Sequence, residues 1–229
     1  MWQGEIVAAG SDAEVRELCD ARTETVDGRG LFLVPGLVDA HIHPFFVEQT
    51  SGADLTRCTT LAEVQSELAR ERSRADGDGW VQGWGLEYNV FADRPIASEA
   101  IDEAVGGAPA LVTFFDQHTA LASRRALELA GVDGPRTFTE GAEVVVQDGR
   151  PSGELREDAA IALVRRLLPE LTEEERYARI AALQRQFAAV GLTGLHAMDG
   201  SPRTLDMLRQ LEANGDLLLR TIVPFWVKP

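Results

Sequence analysis

The sequence predicts an α/β protein, on three observations. From residue 37 onward, helix-patterned stretches alternate with short apolar segments. Of 229 residues 45% are apolar, which supplies a core, and 21 Gly and 10 Pro stay near the globular average, which argues against disorder. Residues 37–43 read Leu-Val-Asp-Ala-His-Ile-His, an apolar strand that turns polar at its carboxyl end, where parallel sheets build their sites.

The elements follow in order. Residues 5–10 read as a strand entering a Gly turn, and residues 31–34, Leu-Phe-Leu-Val, as a β run behind Asp27-Gly28-Arg29-Gly30; Pro35-Gly36 then punctuates. Thr60 and Glu63 form a capping box, and Leu61, Val64 and Leu68 a helical stripe, which predicts a helix over 61–73. Residues 80–84 and 110–115 read as strands, 98–105 as a short helix, and 119–130 as a helix closed by Gly131. The Gly- and Pro-rich stretch 133–153 contains a hairpin arm at 142–147. A helix over about 155–168 stops at Pro169, and a second opens at the Thr172/Glu175 capping box and ends at Gly191. Residues 192–197 form a strand, Ser201-Pro202 opens a helix that runs to Asn214-Gly215, and 217–226 is a last strand. This divides the chain into 1–35 and 36–229, with an α+β segment inserted at about 75–153.

Charge narrows the function classes. A formal net charge of −15 disfavours phosphate backbones and anionic membrane surfaces, which draw affinity from Lys and Arg clusters. The start has no basic n-region or apolar h-region, and no run reaches the length of a spanning helix, so a cytoplasmic protein that binds neither nucleic acid nor membrane is expected. Cys19 and Cys58 are too far apart for a CxxC pair and read as buried or idle thiols.

Four histidines carry the chemistry. His41 and His43 lie two apart on a strand, so they share a face with Cβ atoms about 6–7 Å apart. Both nitrogens can then reach one ion at about 2.1 Å. Asp39 shares that face and either orients an imidazole or binds backbone amides. His118 reads by itself as a histidine satisfied at a helix start. His196 is a pocket residue or core at the end of its strand, and Trp84, with Glu87, Tyr88 and Asn89, is a pocket rim or packing. Glu157 reads by itself as a solvated glutamate favoured by a helix dipole.

The segment Pro35-Gly36-Leu37-Val38-Asp39-Ala40-His41-Ile42-His43 resembles the first barrel strand of the amidohydrolase superfamily. Residues 83–85, Asp116-Gln117-His118, Gly153 to Glu157 and 189–196 resemble, in order, the branch called amidohydrolase family 3 or YtcJ-like. The resemblance implies the first half of a (β/α)₈ TIM barrel, with residues 1–35 giving strands of a small β-sandwich. It implies a metal-dependent hydrolase of non-peptide carbon–nitrogen bonds, with a divalent ion, zinc by default, and a small amide-like substrate. His41, His43 and Glu157 match the family's metal positions, and His118, His196 and Trp84 fall where substrate is lined. The general base is expected beyond residue 229, so the chain reads as an N-terminal portion, catalytically silent by itself.

Two other readings stand beside it. A non-catalytic interaction protein would form a homo-oligomer through its open sheet edge. A metal-independent hydrolase would use Glu154 and Glu157, three apart on one helical face.

Overall fold

A computed structural model describes residues 1–75, 79–139 and 141–224, without the side chains of 48 and 49. It divides into two units, Met1–Gly36 and Leu37–Pro229.

The first unit holds one short helix, α1 (Asp12–Arg16), and an isolated bridge between Trp2 and Glu5. Helix α1 was not expected. Ser11 caps it, accepting from the Glu14 N–H while the Glu14 carboxylate receives the Ser11 N–H. Residues 5–10 and 31–34, expected as sandwich strands, form no ladder. An isolated strand has no partner for its backbone groups and no face to bury, and Phe32 is 98% exposed.

The second unit contains two open sheets, and no barrel closes among the described residues. It begins with β1 (Leu37–Ile42), and a 3₁₀ turn over Val47–Thr50 leads into a six-stranded sheet. Its parallel part is β2 (Ala53–Asp54), β3 (Val81–Leu86) and β4 (Ala110–Phe114), with α2 (Leu61–Arg74) and α3 (Glu99–Asp102) as connections. Next come β5 (Thr119–Ala122), α4 (Arg124–Ala130) and the hairpin β6 (Glu143–Gln147) and β7 (Arg150–Arg156), all joined antiparallel in the order β2-β3-β4-β5-β7-β6. Strand alternation splits the core between two faces. Ala110, Val112 and Phe114 pack with Val64 and Leu68 of α2, while Leu111, Ala120 and Ala122 pack with Ile161 and Val164.

The remainder alternates as expected. Helix α5 (Glu157–Arg165) and α6 (Glu173–Ala189) precede β8 (Leu192–Ala197), and α7 (Pro202–Asn214) leads to β9 (Arg220–Ile222). Strands β1, β8 and β9 form an all-parallel sheet in that order, which buries Leu195 and Ala197 against Ile180 of α6 and Met207 and Leu211 of α7. The capping boxes at Thr60 and Thr172 and the Ser201 cap with Pro202 behind it are all in place.

Four boundaries differ from expectation. Residues 119–122 are strand, because all four are buried between β4 and β7, where a ladder overrides the helical preference of Ala and Leu; the helix starts only after Ser123, which caps it. Residues 150–156 are strand for the same reason, so the helix expected from about 155 opens at Glu157. The strands of the six-stranded sheet run from 53 to 156, against the segment of about 75–153 that was expected as an insertion. The last strand is confined to 220–222, and residues 225–226 of the expected strand lie outside the described residues.

Candidate active site

The carboxyl end of β1 presents the histidine pair. His41 and His43 are both exposed, with ring centroids 5.4 Å apart at an interplanar angle of 67°. His43 also stacks on Phe46 at 5.2 Å, with the rings 17° from parallel. Asp39 is half-buried, and its Oδ1 accepts the backbone N–H of His41 at 2.9 Å. Of the two roles open to Asp39, the backbone one is formed here.

A carboxylate that sequence reasoning missed lies beside this pair. Asp199, two residues past β8, is 7% exposed, and its Oδ2 accepts the Phe45 N–H at 2.6 Å. The Met198 N–H donates to the Ile42 carbonyl at 2.8 Å, so the exits of β1 and β8 are tied twice. Burial pushes the Asp199 carboxyl up, while the Phe45 N–H and the nearby His43 act in the opposite direction. Asp199 lines a cavity of about 320 Å³ together with Phe45, Phe46, Ile180, Thr204 and Met207. The signal for it was an Asp-Gly step after a parallel strand and before an N-cap, which turn chemistry alone already explained.

A second constellation sits at the end of the six-stranded sheet. His118 lies in the turn before β5, not at a helix start, and its N–H donates to Oδ1 of Asp116 at 3.1 Å. Its Nδ1 is 3.1 Å from Oε2 of Glu157, and the Glu157 N–H donates to the His118 carbonyl at 2.7 Å. Glu157 holds φ at +63°, a left-handed conformation that is costly for a residue with a side chain and often marks a functional position. Tyr88 donates to Oδ2 of Asp116 at 3.0 Å and lies 2.7 Å from Thr119 Oγ1, with burial pushing its phenol up.

Of the other candidates, Trp84 is half-buried in β3, where its carbonyl accepts the Leu55 N–H at 2.9 Å. His196 is half-buried in β8, in register with Ile222. Glu154 is buried in β7 and paired with Arg156 at 2.7 Å, so it shares no helical face with Glu157, and the metal-independent carboxylate pair is not formed.

The donor chemistry of His41 and His43 suits one ion in two of its positions. Among the described residues, however, no three His, Cys, Asp or Glu side chains form a group able to hold an ion, so Glu157 does not complete a site with the pair. Glu157 is engaged by His118 on the six-stranded sheet, while the pair stands on the three-stranded one.

The model of the amidohydrolase family matches residues 24–227. The chain belongs to the amidohydrolase family. It is 25% identical to the N-substituted formamide deformylase of Arthrobacter pascens over 93% of its own length and 41% of the relative's. It is 27% identical to the YtcJ protein of Bacillus subtilis, over 86% and 38% of the two chains. It is also 28% identical to protein LONG AFTER FAR-RED 3 of Arabidopsis thaliana, over 76% and 30%. The chain therefore spans well under half the length of these curated relatives. In fold it is similar to uncharacterized metal-dependent hydrolases of Pyrococcus horikoshii and Pyrococcus furiosus, with TM-scores of 0.52 and 0.51 at 18% and 20% identity. Each likeness covers 82% of this chain and 36% or 37% of the other. No helix among the described residues is long and apolar enough to cross a membrane.

Proposed function

We propose that this chain carries the first-strand part of a metal-dependent hydrolase that cleaves carbon–nitrogen bonds other than peptide bonds, with His41 and His43 as two donors to a divalent ion. The observation that carries the reading is the pair itself: two exposed imidazoles, 5.4 Å apart, at the carboxyl end of a strand in an all-parallel sheet. Zinc suits imidazole donors. In this reading β1, β8 and β9, with α6 and α7 outside them, are successive strands of a (β/α)₈ barrel. The six-stranded sheet is then an insertion after the first strand, and residues 1–35 belong to a β-sandwich. The deformylase relative supports an amide-like substrate, with His118, Trp84 and His196 on the substrate side.

Bound there, a divalent ion would lower the pKa of its water and polarise a carbonyl. The described residues offer two donors and no third, so no reaction step is assigned to them, and the proposal places the general base in none of them. Incubating the chain and added zinc with N-substituted formamides and related amides, and measuring released amine, tests this. The chain is expected to release amine no faster than buffer. Turnover abolished by His41→Ala would show a complete site in these 229 residues. Turnover indifferent to both His41→Ala and a chelator would overturn the metal reading.

One observation favours a second, non-catalytic reading. Strand β1 pairs only with β8 among the described residues and exposes Leu37 and Val38, an edge along which copies could add. Sedimentation equilibrium separates the two. An oligomer that dissociates on Val38→Lys while zinc binding is absent supports the interaction module, and a monomer disposes of it.

A further inference from the structure

Asp199 stands where a carboxylate can govern His43. Its Oδ2 accepts the Phe45 N–H at 2.6 Å, and the neighbouring Met198 N–H donates to the Ile42 carbonyl at 2.8 Å. These two bonds bracket His43, so the backbone on either side of that residue is fixed to the exit of β8. Phe46 then stacks on the His43 ring. Oδ1 of the same carboxylate is buried and accepts no well-formed hydrogen bond among the described residues, although the Phe46 N–H also faces the carboxylate, and an acceptor left so is costly until a donor is found. Asp39, on the histidines' own strand, commits its Oδ1 to the N–H of His41 instead.

We propose that Asp199 is the positioning residue of the histidine pair: Oδ2 holds the backbone that carries His43, and Oδ1, which this structure leaves without a well-formed hydrogen bond, receives one imidazole N–H of His43 when the ring turns toward it. That bond selects a single tautomer and leaves the other ring nitrogen facing outward with its lone pair free, as carboxylate–histidine pairs do around metal ions. The use of the arrangement rests on the reading of His43 as a metal donor. The arrangement itself is measurable without any metal.

The test is nitrogen-15 NMR of the imidazoles in the metal-free chain, above the imidazole titration range, with the His43 signals assigned by their loss in His43→Ala. Wild type is expected to favour one His43 tautomer by about tenfold or more, the ratio that a hydrogen bond to a charged acceptor supports. Asp199→Asn keeps an acceptor for the Phe45 N–H and replaces the other oxygen with an NH₂ group. It should leave the melting temperature nearly unchanged and bring the ratio back by about tenfold toward free imidazole. Asp199→Ala loses both bonds and should show the same ratio at a lower melting temperature.

A wild-type ratio in folded Asp199→Asn overturns the proposal, as does a wild-type chain with no tautomer preference. Loss of the preference in Asp199→Asn, in a chain that binds no zinc, leaves the positioning role standing and overturns only the metal reading.

Discussion

Nδ1 of His118 lies 3.1 Å from Oε2 of Glu157, and the Glu157 N–H donates to the His118 carbonyl at 2.7 Å, so the turn before β5 and the start of α5 are joined through both side chain and backbone. The contact is made by a residue with φ at +63°, and the strain of that conformation is offset by the surroundings that impose it.

Substitution separates strain from contact. Both Glu157→Ala and Glu157→Gly lose the pair with His118, but only glycine tolerates the backbone. Glu157→Gly should therefore be more stable than Glu157→Ala by about 1 kcal/mol, measured by urea denaturation. Equal stabilities would mean that the left-handed conformation is not held in solution.

Acid should loosen α6 by a defined route. The N–H and hydroxyl of Thr172 bond the Glu175 carboxylate and hold it below its ordinary value. A carboxyl depressed in the folded state contributes stability fully above its unfolded value, and the contribution is lost as pH falls through the folded one. Thr172→Ala should lower the melting temperature at neutral pH and flatten its decline between about pH 5 and pH 3. Alanine keeps the Thr172 N–H bond, so an unchanged acid slope would contradict a part for the Thr172 hydroxyl in holding Glu175.

The two units should respond differently to truncation. Leu195 is 1% exposed in the three-stranded sheet and Leu33 is 96% exposed in the first unit. Leu195→Ala should cost about 2–5 kcal/mol, and Leu33→Ala should stay within about 0.5 kcal/mol. A large cost at Leu33 would mean that residues 31–34 are packed in solution after all.

The sequence disclosed what local chemistry determines. The caps at Thr60, Thr172 and Ser201 marked their helices, and the apolar run ending in His41 and His43 marked the first parallel strand. It misled where tertiary partners decide. Residues 119–122 carry good helix formers, yet they are buried between two strands, and residues 31–34 have strand composition with no ladder to join. The candidate site was legible in the same uneven way. His-x-His announces itself through period two, whereas Asp199 meets Phe45 only because two parallel strands end side by side, 154 positions apart in sequence. Glu157 and His118 were each singled out, and their contact depends on β5 pairing with β7, which the expected helix over 119–130 had ruled out.

The most direct test of the account is zinc bound by the full chain after equilibrium dialysis, quantified by elemental mass spectrometry beside His41→Ala/His43→Ala and His118→Ala/Glu157→Ala. Zinc held by the wild type and by the His118/Glu157 variant, and lost from the His41/His43 variant, is the predicted result. Zinc retained in full by the His41/His43 variant would contradict the assignment of that pair as metal donors.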